Sequence, residues 1–262
     1  MKRGSLGAWL AIILGVIYFL APLIATFEFS LRLKRDEYSF EAYRLVFASG
    51  NFQASFLYST IVALVTIVIG VALVVPTAYW VQLRLPKLRG VVEFITLLPL
   101  VIPAIVLVFG YIRLYDSSSI LPLTGSAFGT DILLTLGYVG LAMPYMYRSV
   151  DTGLRAIDVR TLTEAAESQG ANWPTILWRV ILPNIRSAIL SGSFLTFAIV
   201  IGEFTFASLL NRPAFGPYLQ LVGASRAYEP AALAVMAFAI TWACMGLIQL
   251  LGRGARGATD TR

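Results

Sequence analysis

Six apolar stretches alternate with polar or Gly/Pro-rich segments along the chain, at residues 8–29, 54–81, 91–112, 132–147, 187–210 and 231–251. A helix needs about 20 predominantly apolar residues to cross the hydrocarbon core of a bilayer. The pattern therefore predicts six transmembrane helices. The fourth stretch is the shortest and has to borrow residues from 126–131 or from Arg148 onward. The second is long enough to tilt or to project beyond the bilayer. The first follows Lys2 and Arg3 and imitates a signal peptide. Its apolar run exceeds the usual span of about 7–15 residues and no Ala-x-Ala site follows it, so it reads as a retained anchor.

One segment breaks the apolar pattern. Residues 148–186 are too many for a simple connection and too polar to enter lipid. Thr161 and Glu164 stand in the relation of a capping box, which predicts a short helix through Ala165, Ala166 and Gln169. Gly170 supplies a left-handed turn to end it, followed by Ala171. Asn172 is placed to cap a second helix with Pro174 in its first turn, where a missing N–H costs nothing. In that helix Trp173, Ile176, Leu177 and Val180 fall at i, i+3, i+4 and i+7 and predict one apolar stripe. The small-faced first helix suits insertion into a cleft of a partner protein. An amphipathic pair lying on the lipid interface fits the same local physics.

Composition supports the membrane reading. The chain has 262 residues, 58% hydrophobic and 13% charged, where a soluble domain carries about a quarter charged. Each charge at the bilayer centre costs roughly 2.5–3.5 kcal/mol. A single transmembrane domain over residues 1–262 is expected, with 148–186 as a loop on one membrane face. The net charge of +6 raises nucleic acid as a partner, but the basic residues are scattered over loops and set topology instead. With the N-terminus inside, Lys2, Arg3, Arg84, Lys87, Arg89, Arg148, Arg155, Arg160, Arg179, Arg186, Arg253, Arg256 and Arg262 are internal; Arg32, Lys34, Arg35, Arg44, Arg113, Arg212 and Arg226 are external. The excess of basic residues belongs on the cytoplasmic side, so both termini are expected there.

Catalytic chemistry is missing from the pattern. There is no histidine, and the lone Cys244, read as plain packing, excludes a disulfide within the chain and any Cys-rich metal site. No phosphate-binding Gly-x-x-x-x-Gly-Lys-[Ser/Thr] loop occurs, so ATP has to be held elsewhere. Pro99 and Pro103, at i and i+4, read either as ordinary membrane-helix composition or as a pair on one face that bends a pore-lining helix. Glu203 is a carboxylate in mid-stretch, a place where an ionisable group marks either a pathway or a structural pair. With Thr205 or Ser208 it is a candidate for the translocation route, and Tyr58, Ser59 and Thr60 offer polar contacts or glue between helices. A carboxylate there favours a cationic solute.

The run Glu164-Ala165-Ala166, three residues, Gly170, nine residues, then Val180-Ile181-Leu182-Pro183 resembles the signature loop of permease subunits of binding-protein-dependent ABC importers, with Val180 where Ile is usual. Residues 97–103, Leu-Leu-Pro-Leu-Val-Ile-Pro, and Gly202-Glu203-Phe204 are similar to motifs of the polyamine, ferric-iron, thiamine, phosphonate and sulfate branch. The layout looks most like the second permease of spermidine/putrescine importers, over residues 8–252. The resemblance implies an all-α type I ABC importer permease with six transmembrane helices in the bacterial inner membrane. It implies that Thr161, Glu164, Ala165, Ala166, Gly170, Ala171, Leu182 and Pro183 couple to a cytoplasmic ATPase dimer that binds ATP and Mg, this chain binding no cofactor or metal and catalysing nothing itself. Further implied partners are a second, non-identical permease and a periplasmic or lipid-anchored substrate-binding protein. Segments 116–130 and 211–230, the latter with a short helix near Tyr218, would form the docking face for the binding protein. Rival readings are a secondary transporter coupled through Glu203, the same importer class carrying ferric iron, thiamine, phosphonate or another anion, and a non-transporting scaffold.

Overall fold

A computed structural model describes residues 6–34 and 37–254. Among them every regular element is helical, apart from one isolated bridge between Lys34 and Glu37. In chain order these are α1 (Leu6–Ser30), α2 (Glu41–Ala48), α3 (Gly50–Leu83), α4 (Arg89–Val101), α5 (Ala104–Leu114), α6 (Ala127–Arg155), α7 (Val159–Ser168), α8 (Trp173–Asn184), α9 (Arg186–Gly202), α10 (Thr205–Leu209), α11 (Phe215–Ser225) and α12 (Glu229–Gly254). The fold is all-α and polytopic. Helices α1, α3 and α6 are each long and apolar enough to cross a membrane, and the stretches ending in α5 and α9 are bent pairs that pass the same test. Helix α12 covers the sixth apolar stretch. Helix α6 borrows residues at both ends of the short fourth stretch, and Ser126 caps it by accepting the Gly129 N–H at 3.0 Å.

Two stretches are broken where single helices are expected. The third bends by 98° between its halves. Ile102 is extended (φ −84°, ψ 121°), as steric conflict with a following proline requires. Pro103 (φ −56°, ψ 137°) stands before α5 at its N-cap. Pro99 and Pro103 therefore do not share a face of one bowed helix: Pro99 lies within α4 and Pro103 in the break. The fifth stretch stops at Gly202 and resumes at Thr205, so Glu203 sits in a second break.

The chain divides into two compact units, one combining residues up to Ala54 with Tyr218–Trp242, the other holding Ser55–Pro217 and the chain from Ala243. In the first, α1 exposes apolar side chains on all its faces, among them Trp9, Ile13, Tyr18, Phe19 and Ile24, as a helix surrounded by hydrocarbon does. Ser30 and Tyr43 share a 2.6 Å hydrogen bond, Phe29 stacks on Tyr228 at 4.9 Å, and Ser49 meets Tyr218 at 3.2 Å. In the second unit α6 and α9 pack through small residues. A Cβ on Gly153 would fall 2.4 Å from the Ala188 Cβ, and one on Gly192 2.7 Å from the Met146 sulfur. Such close approach is how membrane helices gain contact without a hydrophobic driving force. The side chains of Lys2, Arg3, Arg35, Cys244, Arg253, Arg256 and Arg262, to which topology or packing was assigned, lie outside the described residues.

Candidate functional site

The polar segment folds as two helices on a rigid floor. Helix α7 does not start with a Thr161–Glu164 capping box. Asp158 is its cap, accepting the Thr161 N–H at 3.1 Å and the Thr161 hydroxyl at 2.7 Å. Glu164 pairs instead with Arg160 at 2.8 Å. An Asp three residues upstream fits the same capping logic, and its shorter side chain reaches without help. Hydrogen bonds from the Thr161 hydroxyl and N–H hold the Asp158 carboxyl below the usual carboxylate range. Its contribution is thus complete above the unfolded value near 3.8 and is lost as pH falls through the lower folded value. Asp158→Ala should speed amide hydrogen exchange in the first turn of α7 at neutral pH, with the difference from the native chain shrinking below that range. Equal exchange at pH 7 would remove Asp158 as the cap.

The end of α7 follows the Schellman pattern. The Ala171 N–H reaches back to the Ala166 carbonyl at 3.1 Å and the Gly170 N–H to that of Glu167 at 2.9 Å. Gly170 takes φ +80° to make this turn. Asn172 then caps α8, its Oδ1 accepting the Thr175 N–H at 3.1 Å and the Thr175 hydroxyl at 2.6 Å, with Pro174 in the first turn. Residues Ile176–Ile181 form a π-turn. The extra residue shifts the buried stripe. Ile176, Leu177, Ile181 and Ile185 are buried, Val180 only partly, and Trp173 is exposed.

This stripe and Val159 pack on Val74, Val75, Ala78 and Tyr79 of α3 and on Met146, Tyr147, Val150 and Leu154 of α6, with Ala166, Ala171 and Leu182 against the same core. Tyr79 and Thr163, both buried, meet at 3.1 Å. Glu164, Ala165, Gly170 and Pro183 remain exposed. The segment thus presents a small-residue face outward while its other face is clamped to two long helices. The same region carries a four-charge network, of which only Arg89 and Arg155 stood out in the sequence, as topology signals. Arg89 contacts Glu93 at 2.9 Å and Asp151 at 3.3 Å, while Arg155 contacts Glu93 at 3.3 Å and also Asp151. It joins the start of α4 to the end of α6, just ahead of α7. The i, i+4 spacings of Arg89/Glu93 and Asp151/Arg155 were the available signal.

Four of the polar residues considered for the pathway, Glu203, Tyr58, Ser59 and Thr60, make hydrogen bonds within the fold. Glu203 accepts the Thr205 N–H at 2.7 Å and the Phe206 N–H at 3.0 Å, so its carboxylate caps α10 across the break. Phe206 is fully buried against Tyr111 and Tyr138, in a socket where a Cβ on Gly137 would come within 2.4 Å of its ring. Ser208 is exposed. Thr60 bonds back to the Phe56 carbonyl at 2.8 Å. Tyr58 donates to Asp131 at 2.5 Å, and Arg212 bridges both, to Asp131 at 2.7 Å and to the Tyr58 hydroxyl at 3.3 Å. Ser59 accepts the Phe215 N–H at 2.8 Å. Asp131 and Arg212 were not singled out from sequence, because nothing local links residues so far apart.

The chain matches the family described as "Binding-protein-dependent transport system inner membrane component" over residues 70–254, and it belongs to that family. The family consists of membrane permease components rather than enzymes. A probable molybdenum ABC transporter permease protein of Haloferax volcanii is 35% identical over 56% of this chain and 54% of its own length, so that match spans about half of that relative. The molybdenum transport system permease protein ModB of Mycobacterium tuberculosis is 30% identical over 97% of this chain and 96% of its own. The spermidine/putrescine permease PotB of Haemophilus influenzae is 26% identical over 79% and 76%. A solved bacterial ABC transporter involved in import of the acidic polysaccharide alginate shares the fold, with TM-score 0.60 at 19% identity over 95% of this chain and 98% of that one.

Proposed function

We propose that the chain is the transmembrane permease subunit of an ATP-driven importer. It forms half of a translocation pathway with a second permease, takes solute from a substrate-binding protein, and couples through residues 164–183 to a separate ATPase dimer on the cytoplasmic side, where ATP and Mg bind. The observation that carries this reading is the face of α7 and its turn, where Glu164, Ala165 and Gly170 are open while Ala166 and Ala171 are packed on the core under α3 and α6. A push on that face moves α3 and α6, because the segment has no soft layer beneath it. The inner membrane and the cytoplasmic placement of both termini belong to the same proposal.

For the solute, an oxyanion has more support than a polyamine. Relatives named for molybdenum match this chain along nearly its full length, and molybdenum dissolves in neutral water as the oxyanion molybdate. The cation reading leaned on Glu203, whose carboxylate is occupied by two backbone N–H groups.

Glu164→Lys reverses the charge of the open face, and Ala165→Trp fills it. Each should abolish co-purification of the ATPase and cut ATP-driven molybdate uptake in vesicles at least ten-fold, with the permease still folded. Retained co-purification in both variants would defeat the proposal. Uptake that collapses with an uncoupler yet survives ATP depletion would favour an ion-gradient transporter instead.

A further inference from the structure

Where α8 turns through 79° into α9, a cleft of about 510 Å³ opens between that joint and the last turns of α6. Its polar lining comprises Arg148, Ser149, Thr152, Asn184, Ser187 and Ser191, and no carboxylate lines it. Two of these groups already have partners, since the Asn184 amide donates to the Val180 carbonyl at 2.7 Å and the Ser191 hydroxyl to that of Ser187 at 3.0 Å. The other four make no side-chain hydrogen bond or ion pair with any described residue. The nearby Asp151 gives Arg148 no partner, because it is held by Arg89 and Arg155.

The cleft therefore gathers one unpaired guanidinium and three uncommitted hydroxyls, without a negative charge to answer them. A guanidinium and hydroxyl donors lining one open cleft, with Arg148, Thr152 and Ser187 exposed to it, suit an oxyanion, to which hydrogen bonds are charge-assisted and therefore strong. We propose that this cleft binds a tetrahedral oxyanion, either free in solution or as the phosphate headgroup of an anionic lipid. Arg148, Ser149 and Thr152 come from α6 and Ser187 from α9, so a bound anion bridges the two helices across the bent joint. Occupancy ties the start of α9 to α6 directly after the joint, and so restrains the end of the 164–183 segment that leads into it. The anion then acts as a brace on the lever.

The test uses the full chain purified in detergent. Sodium sulfate at constant ionic strength is one probe, and mixed micelles of phosphatidylglycerol against phosphatidylcholine are the other, with thermal unfolding as the readout. At least one probe should raise the melting temperature in a saturable way. Arg148→Gln should weaken that response about ten-fold, as loss of a charged hydrogen-bonding partner does. Ser191→Leu, which fills the cleft from an exposed position, should abolish it without lowering the melting temperature of the unliganded chain. A response to sulfate identifies a free oxyanion, and a response confined to phosphatidylglycerol identifies the headgroup. No response to either probe, or a response unchanged in both variants, overturns the proposal.

Discussion

Gly170→Val should cut ATP-driven uptake at least ten-fold, with the rest of the helical fold intact. Gly170 takes φ +80° to let the Ala171 N–H return to the Ala166 carbonyl. A left-handed conformation costs a residue with a Cβ roughly 1–2 kcal/mol, and β-branching makes this worse. The turn would unwind, and Asn172 would lose its position as cap of α8. A Cβ at Gly170 meets nothing within 4 Å in the chain itself, so steric conflict inside the molecule adds nothing to that cost. This allows backbone and docking roles to be separated. Gly170→Asn suits the left-handed region and should leave the melting temperature close to native. If the open face docks in the ATPase, that substitution still adds a side chain there and should weaken co-purification. Gly170→Ala should show the opposite balance, a loss of about 1–2 kcal/mol with a smaller effect on docking. Native uptake by Gly170→Val would mean that the geometry of this turn is irrelevant to coupling.

Much of this was legible in the chain because membranes constrain sequence heavily. The hydrocarbon thickness imposes a length on each apolar run, so the six stretches mark helices well. Gly170 and Asn172 were readable because their roles rest on backbone chemistry within four residues. The cap of α7 was misplaced by three residues, since Asp158 and Thr161 are both competent caps and local pattern does not rank them. The π-turn at Ile176–Ile181 has no local signature among Ile, Leu, Trp and Arg. It arises where the floor formed by α3 and α6 asks for Ile181 in place of Val180. The break at Pro103 was half visible, as a kink but not as a 98° turn, because a proline removes a bond without saying which way the freed segment packs. Glu203 stands out in the sequence as an unusual residue for its place. That its oxygens turn onto Thr205 and Phe206 could not be read from hydropathy, which treats a mid-stretch carboxylate only as a cost.

The largest loss of stability should come from Arg212→Met. The Arg212 side chain is 16% exposed, and it is the bridge between Asp131, at 2.7 Å, and the Tyr58 hydroxyl. Removing one partner of a buried ion pair costs about 3–5 kcal/mol, because the other charge is left unanswered. Asp131 is 36% exposed, so water can partly answer it, and a loss of about 3 kcal/mol, the low end of that range, is expected. Asp131→Asn combined with Arg212→Gln removes both charges and should recover part of the loss, whereas independent sites would add their losses. Tyr58→Phe removes the hydrogen bond to Asp131 and the longer one from Arg212 while leaving the Arg212–Asp131 pair in place, and should cost about 1.5–3 kcal/mol. Unfolding in detergent across this set decides between two roles for the cluster. A lining of the solute pathway would lower uptake and leave stability alone. A clamp would lower stability first, because Arg212 and the Ser59–Phe215 bond hold the segment after α10 onto α3 and α6. The structure favours the clamp, and an Arg212→Met chain as stable as the native one would refute it.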